Sequence, residues 1–191
     1  MAQHMRAEDD ATPERGGGIL WFLGTLALAV AVGVVLRLFV IGVYCVPSGS
    51  MLETIQIGDL VLGEKVSLAL RGPEPGEIVT FDSPLVEGET LVKRVIAVGG
   101  QTIDLVDGSV VVDGVTLDEP YVGDEPTQSL SDLSGSAGIT YPYVVPDGCI
   151  WVMGDNRTNS KDSRYFGPVS VDDVTSIAVL IYWPLSDFGL I

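Results

Sequence analysis

The sequence has a single histidine, His4, which lies near the start of the 191-residue chain. A Ser-His-Asp triad needs a histidine base beside its nucleophile, and zinc sites usually draw their ligands from several cysteines and histidines. A long apolar segment separates His4 from the rest of the chain. A histidine-based triad and a Cys/His metal site are therefore excluded beyond that segment, and we expect no metal or organic cofactor.

Cysteines and basic residues are also scarce. The two cysteines, Cys45 and Cys149, are too few for a disulfide framework, and each is expected to be a small buried hydrophobe. The chain has 10 lysine and arginine residues against 26 acidic residues, which gives a formal net charge of −16. Because nucleic-acid binding depends on basic residues at the phosphates, this composition disfavours nucleic-acid partners and predicts an acidic, solvated surface.

Charge is absent altogether from residues 16–36, and this run is followed by Arg37 and a second apolar piece. About 20 apolar residues are needed to cross the hydrocarbon core of a bilayer. A cleaved secretory signal has a shorter apolar core of roughly 7–15 residues, and a helix that is apolar all round fits poorly inside so small a soluble domain. We therefore predict a transmembrane anchor at 16–43, preceded by a short tail at 1–15.

Residues 44–191 are predicted to form one β domain, because short apolar runs alternate there with turn signals. Residues 107–108 and 113–114 are Asp-Gly pairs between runs of β-branched residues, which is a strong hairpin signal. Residues 123–143 are rich in Ser, Gly, Asp and Thr and predict a loop-rich excursion. The expected fold class is mostly β, with an antiparallel sheet or barrel-like domain after one N-terminal transmembrane helix.

With histidine excluded, lysine is the alternative base, and the chain has only Lys65, Lys93 and Lys161. Lys65 and Lys161 each adjoin an acidic residue and are expected on the surface. Lys93 instead shares one face of its predicted strand with apolar residues, namely Leu91, Val95 and Ala97. Desolvation there favours the neutral amine that a general base requires. The alternative is a lysine at a sheet edge whose ammonium group reaches water.

Two further segments carry candidate chemistry. The turn VPSGSM, just after the apolar segment, places Ser48 and Ser50 on either side of Gly49. Such a turn can present a hydroxyl nucleophile and direct backbone N–H groups at an oxyanion, or it can be a plain linker. Residues 154–169, GDNRTNSKDSRYFGPV, are dense in Asp, Asn, Arg and Ser. They form either a hydrogen-bonded surface loop or a set of side chains that fixes the base.

Three separated blocks of this sequence resemble the bacterial type I signal peptidases, also called leader peptidases or peptidase family S26. The blocks are VPSGSM followed by IGDLVLGEK, then LVKRVIAVGG, and then VMGDNRTNSKDSRYFGPV. They occur in the order and spacing of that family and cover most of residues 45–169. The apolar anchor immediately before PSGSM is also as in the family, and the third block is the most specific of the three.

The resemblance implies a role for each of five residues. Ser50 would be the nucleophile and Lys93 its general base. Ser160 would hydrogen-bond the Lys93 amine and orient it. The oxyanion hole would consist of the Ser50 N–H and the Ser48 hydroxyl, and Met51 would line the site.

The resemblance also implies a structural ion pair between Asp162 and Arg164, and it implies the activity. The family removes signal peptides from exported preproteins through an acyl-enzyme, at the outer face of the membrane and without a cofactor. It prefers small residues one and three positions before the cut. We therefore expect a single-pass monomer in the lipid bilayer of the cytoplasmic membrane, with residues 1–15 cytoplasmic and 44–191 extracytoplasmic. The charges beside the anchor do not decide this orientation.

The sequence departs from the family pattern at three places. Glu53 stands where the family usually has proline, residues 98–101 replace a common LPGD segment, and Thr158 replaces an aspartate or similar residue. Two other functions stay open at this point. A soluble, self-cleaving repressor-type Ser/Lys peptidase would lack the long uncharged run. A membrane-tethered binding module without catalysis would not require Ser50 and Lys93 to be close.

Overall fold

The computed structural model describes residues 17–124 and 126–191. The predictions made for the tail at 1–15, which includes His4, and for the first residue of the anchor lie outside the described residues. The chain divides into two compact units, residues 1–37 and 38–191.

The described part of the first unit belongs to one helix, α1 (Gly17–Phe39, 23 residues), whose last two residues fall in the second unit. Its mean hydropathy reaches 2.6, and none of its most apolar part is buried, which argues against the core helix of a soluble domain. At about 1.5 Å per residue the helix is about 34 Å long, enough to cross a bilayer core of about 30 Å. The anchor was predicted to reach residue 43, but the helix ends at Phe39, because Ile41–Cys45 form a strand that pairs with Leu60–Glu64.

The second unit contains the twelve strands of the described residues. In chain order they are β1 (Ile41–Cys45), β2 (Leu60–Glu64), β3 (Ile78–Asp82), β4 (Thr90–Val98), β5 (Thr102–Val106), β6 (Ser109–Val112), β7 (Val115–Thr116), β8 (Tyr143–Val144), β9 (Cys149–Met153), β10 (Val169–Ser170), β11 (Val174–Trp183) and β12 (Gly189–Leu190). The larger sheet has the order β1-β2-β11-β3-β4-β9-β10, with β12 beside β11, and the smaller sheet has the order β7-β6-β5-β8. All pairings are antiparallel, which confirms the predicted fold class.

Both predicted Asp-Gly hairpins are present in the smaller sheet. Asp107 and Gly108 join β5 to β6, and Asp113 and Gly114 join β6 to β7. All four residues have positive φ angles of 51°, 82°, 51° and 81° in that order. Two consecutive residues with positive φ match the twist of an antiparallel pair, and Asp-Gly tolerates this conformation well.

Two short helices complete the second unit, α2 (Val66–Arg71) and α3 (Ser163–Phe166), together with 3₁₀ turns at Arg157–Asn159 and Val171–Asp173. The described residues between β7 and β8 contain no helix or strand. Apart from Tyr143, the first residue of β8, the described residues of the loop-rich excursion predicted at 123–143 lie within this stretch.

An apolar cluster supports the segment between β1 and β2. Met51 and Ile55 from that segment are fully buried and pack with Val61 of β2 and Val92 of β4. Full burial of such side chains contributes roughly 1.5–3 kcal/mol each. The serine-containing turn is therefore held on the core rather than displayed on a free loop.

Candidate active site

The turn that carries Ser50 is closed at its base by backbone hydrogen bonds. The Val46 N–H donates to the Asp59 carbonyl at 2.9 Å, and the Gly58 N–H donates to the Val46 carbonyl at 2.8 Å. Because Met51 is buried beneath the turn, the neighbouring Ser50 is held in place with a residue exposure of only 8%. The sequence predicted a turn here, and in the structure this turn is held by backbone hydrogen bonds and by the buried Met51 side chain.

Lys93 lies on β4 opposite Val79 of β3 and is 3% exposed. Its Nζ donates to Ser50 Oγ at 2.7 Å and to the Val92 carbonyl at 2.9 Å. The two residues are 43 positions apart in the sequence, so the fold and not the local chain brings them together. Among the three lysines, Lys65 is partly buried and Lys161 is exposed.

The environment of Lys93 changes its acid–base behaviour. Burial lowers the pKa of Lys93 from 10.5 to about 8, because the charged ammonium loses its solvation. The negative charges of Asp162, Glu89 and Asp155 raise this pKa in the opposite direction and offset part of the effect. A substantial fraction of Lys93 is therefore a neutral amine at mildly alkaline pH, and only this form can accept a proton from Ser50.

Ser160 lies next to the catalytic turn but does not contact Lys93 through a hydrogen bond. Its Oγ is buried and has no hydrogen-bond partner among the described residues, whereas Lys93 Nζ is directed to Ser50 Oγ and the Val92 carbonyl. A Cβ atom added to Gly154 would collide with Ser160 Oγ and with the Ser50 carbonyl oxygen. Gly154 thus allows Ser160 and the Ser50 backbone to approach each other, and the predicted Ser160–Lys93 hydrogen bond is not formed in this structure.

The third sequence block is bound directly to the other two. The Asn156 N–H donates to the Ser50 carbonyl at 3.1 Å, and Asn156 Nδ2 donates to the Gly49 carbonyl at 2.9 Å. The buried carboxylate of Asp155 accepts from Thr54 Oγ1 at 2.6 Å and from Arg94 Nε and Nη2 at 2.9 and 2.7 Å. Asp155 therefore joins the serine turn to the strand that carries Lys93.

Sequence reasoning missed this function of Asp155 and Arg94. The only available signal was that Arg94 directly follows Lys93 and that Asp155 falls in the dense polar block. Neither fact shows that Arg94 and Asp155 are partners. Arg94 lies on β4, Asp155 follows β9, and 61 positions separate them in the sequence.

The structure contains the ion pair predicted for Asp162 and Arg164. Arg164 Nε and Nη2 donate to the two carboxylate oxygens at 2.9 and 2.8 Å, and both side chains are buried. Asp162 also accepts the Gly154 N–H at 3.0 Å. Breaking one side of such a buried pair typically costs about 3–5 kcal/mol, so the pair holds the chain around Gly154 in place.

A cavity of about 260 Å³ opens beside Ser50 and Lys93 and is also lined by Ser48 and Met51. Its walls are β1 and the first residues of β4. β1 lies at the end of the larger sheet, and β4 pairs with β9 only from Arg94 onwards. On the side away from β3, the first part of β4 therefore has no strand partner among the described residues, and an extended peptide can pair with it.

Cys45 also lines this cavity and is exposed. The expectation that Cys45 is buried is wrong, because its side chain borders this open cavity and not the apolar core. Cys149 is partly buried and packs against the cluster that contains Trp151. Both cysteines are free thiols. Within residues 17–124 and 126–191, no group of three His, Cys, Asp or Glu side chains is placed to hold a metal ion.

These contacts define a class of enzyme. A buried serine hydroxyl lies at hydrogen-bond distance from a buried lysine amine whose pKa is lowered, and the part of the chain that the structure describes has no histidine. A serine nucleophile with a lysine base is a known alternative to the histidine triad. The fold and the site are therefore those of a Ser/Lys hydrolase with an open peptide-sized groove.

Comparison with known proteins gives the family. The profile of the family described as "Signal peptidase, peptidase S26" matches residues 19–183. The probable signal peptidase I-1 of Synechocystis sp. is 36% identical over 171 residues, which cover 86% of this chain and 82% of that protein. The chloroplastic thylakoidal processing peptidase 1 of Arabidopsis thaliana is 29% identical over 199 residues, covering 94% of this chain and 56% of that protein.

A solved structure of a signal peptidase I from Enterococcus faecalis V583 is 32% identical, covers 55% of this chain and 95% of its own, and has a TM-score of 0.46. Because the family profile spans most of the sequence, the chain belongs to the signal peptidase family, peptidase S26, and is a serine endopeptidase. The resemblance drawn from the three sequence blocks is confirmed. Membership of this family excludes the soluble repressor-type peptidase and the binding module without catalysis.

Proposed function

We propose that the chain removes signal peptides from exported preproteins, with Ser50 as nucleophile and Lys93 as general base. The observation that carries the assignment of these two residues is the 2.7 Å separation of Lys93 Nζ and Ser50 Oγ in a buried site. Hydrogen-bond reach of about 2.6–3.2 Å is what proton transfer between a nucleophile and its base requires.

In the acylation step, neutral Lys93 accepts the Ser50 proton as Ser50 Oγ attacks the scissile carbonyl carbon. The resulting oxyanion accepts hydrogen bonds from the Ser50 N–H and the Ser48 hydroxyl, which is exposed in the same cavity. The tetrahedral intermediate then collapses, and the C–N bond breaks. Protonated Lys93 returns its proton to the departing amine, so that the mature protein leaves with a free N-terminus and the signal peptide remains as an ester of Ser50.

In the deacylation step, Lys93 accepts a proton from water, and the resulting hydroxide attacks the ester. The ester C–O bond breaks, Ser50 Oγ recovers the proton from Lys93, and the signal peptide leaves with a free carboxylate. While Ser50 is acylated, its oxygen no longer carries a proton for Lys93. The buried hydroxyl of Ser160, which has no partner among the described residues, is the group proposed to orient the amine in this step.

The groove beside Ser50 is proposed to hold the signal-peptide end of the substrate as an added strand. The unpaired side of β4 at residues 90–92 and the terminal strand β1 supply backbone hydrogen-bonding groups. Alternate side chains of an extended peptide point to the same face. The side chains one and three positions before the cut therefore point towards the same wall of the groove. Met51 and Leu91 both line the cavity of about 260 Å³ there, and their side chains are proposed to leave room only for small residues at both positions.

The proposed location is a membrane with the catalytic domain on its extracytoplasmic face. α1 supplies a helix long enough to span the bilayer, with residues 1–15 proposed as the cytoplasmic tail and 44–191 as the peptidase domain. The relative from Arabidopsis is a thylakoidal enzyme by name, so relatives of this chain occupy more than one kind of membrane. For this chain we propose the cytoplasmic membrane. The proposed oligomeric state is a monomer.

The test is cleavage of a preprotein that carries alanine one and three positions before the cut, by the full-length enzyme in detergent or lipid vesicles. Cleavage at that bond and strong loss of rate when either alanine is replaced by leucine would support the proposal. The Ser50→Ala variant is the matched inactive control. Equal rates with alanine and leucine at both positions would contradict the proposed substrate class.

A further inference from the structure

Two cavities adjoin the serine turn at Glu53, apart from the groove between β1 and β4. One has a volume of about 180 Å³ and the other about 350 Å³, and both are lined by Glu53, Val122 and Gly123. Neither shares a lining residue with the groove that contains Ser50 and Lys93. We call these two the leaving-side cavities.

The smaller leaving-side cavity is lined by residues that adjoin Ser50 in the chain or bind its backbone. It is lined by Leu52 and Glu53 of the serine turn and by Asn156, whose N–H binds the Ser50 carbonyl at 3.1 Å. Glu53 is three residues after Ser50, so their Cα atoms are at most about 11 Å apart. An extended peptide covers that distance in about three residues. A substrate that runs from Ser50 towards these cavities therefore comes within reach of Glu53 in its first few residues beyond the reacting bond.

Glu53 is the uncompensated charge in these cavities. Its side chain is exposed, and among the described residues its carboxylate has no hydrogen-bond or ion-pair partner. The other charged residues that line the smaller cavity are paired: Asp155 with Arg94 at 2.7 Å and Arg157 with Glu119 at 2.5 Å. The electrostatic potential at the leaving-side cavities is consequently negative.

We infer that Glu53 makes the enzyme prefer preproteins with a lysine or arginine among the first three residues after the cleaved bond. This inference rests on the proposed function and adds a specificity determinant on the leaving-group side. The signal-peptide half of the substrate occupies the groove with the free strand edges, so the mature half passes over the leaving-side cavities. A cationic side chain there is attracted by Glu53, and an anionic one is repelled.

The effect is moderate because Glu53 is exposed. Attraction between exposed charges corresponds to about a 2- to 5-fold change in an equilibrium, and replacing a positive by a negative residue combines attraction with repulsion. We expect kcat/KM to be roughly 5- to 10-fold higher for lysine than for glutamate at the same position at low salt. This ratio should fall towards 1 in molar salt, where charges are screened over about 3 Å.

The test uses the full-length enzyme and a preprotein with an Ala-X-Ala site in which the second residue after the cut is lysine, glutamine or glutamate. The lysine-to-glutamate ratio of kcat/KM is measured for wild type, Glu53→Gln, Glu53→Lys and Asp173→Asn. The ratio should approach 1 in Glu53→Gln and invert in Glu53→Lys. Asp173 is an exposed carboxylate that does not line these cavities, so Asp173→Asn should keep the wild-type ratio.

Two results would overturn the inference. One is a ratio that Glu53→Gln leaves unchanged, and the other is a Glu53-dependent preference for charge two residues before the cut instead of after it. In either case the preprotein is still cleaved, and the proposed function stands. Failure of the wild-type enzyme to cut any of the three substrates would instead contradict the proposed function itself.

Discussion

Replacing Lys93 with methionine is expected to lower kcat/KM for preprotein cleavage by about 10³-fold or more. General-base catalysis alone contributes about 10²–10⁴-fold, and methionine keeps the length and burial of the side chain without a proton acceptor. Lys93→Arg should fail similarly, because a guanidinium stays protonated. Ser50→Ala should be as inactive, and the double variant no worse than either single one, because the two residues act as a unit.

Stability measurements separate this loss of activity from misfolding. The pKa of Lys93 is about 8 in the folded protein and near 10.5 when the chain is unfolded, so the unfolded state binds more protons between these two pH values. Wild-type stability therefore rises with pH across that window, and below pH 8 the charged, buried lysine destabilises the fold. Lys93→Met removes this charge, and we expect a higher Tm than wild type at neutral pH, with a difference that shrinks towards pH 10.5.

The matched control is Lys65→Met, at a lysine that lies outside the catalytic groove. This variant should retain activity within about 2-fold, because the Lys65 side chain donates to the Leu38 carbonyl at 3.2 Å and makes no hydrogen bond to Ser50 or Lys93. Wild-type activity in Lys93→Met, with Lys65→Met equally active, would contradict the assignment of Lys93.

The second large effect is expected for Gly154→Ala. The added Cβ would collide with the Ser50 carbonyl oxygen and with Ser160 Oγ, so the serine turn must move away from its base. A displacement of about 1 Å in a catalytic group can lower the rate about 10²-fold, and we expect a loss of at least that size in kcat. Combining Gly154→Ala with Ser160→Gly should not restore the rate, because the collision with the Ser50 backbone remains.

Gly189→Ala is the control for Gly154→Ala. A Cβ at Gly189 meets only the Asp187 carbonyl oxygen at 3.8 Å, an ordinary contact, so activity and Tm should match wild type. Gly154→Ala should keep a cooperative thermal transition, since Asp162 and Arg164 still hold the surrounding chain. A fully active Gly154→Ala enzyme would show that the contact between the third block and the serine turn is not required for catalysis.

The sequence was informative where a local pattern determines the structure. The two Asp-Gly turns form hairpins because both residues adopt positive φ without large strain. The uncharged run forms one helix because its length and hydropathy leave few alternatives. The predicted anchor extended four residues beyond the C-terminal end of this helix, because Ile41–Cys45 are apolar enough for a helix but pair with β2 in the fold.

The site was predictable in its residues and not in its contacts. The absence of a usable histidine and the apolar neighbours of Lys93 pointed to a lysine base, and the family blocks supplied Ser50. Long-range pairs such as Arg94 with Asp155 leave no trace in a single sequence, because either residue has many possible partners. The orientation of the Ser160 hydroxyl depends on how closely Gly154 lets two backbones approach, which no local pattern encodes.

The central claim is that a neutral Lys93 takes the proton of Ser50, and the pH dependence of kcat/KM tests it most directly. A full-length enzyme with one Ala-X-Ala preprotein should show a rate that rises about 10-fold per pH unit and levels off with a midpoint near pH 8, the pKa to which burial lowers Lys93. Glu89→Gln should move the midpoint to lower pH, since removing that negative charge disfavours the ammonium, and Glu87→Gln should not. A profile without this rise, or one with its midpoint near 10.5, the ordinary pKa of lysine, would contradict the account.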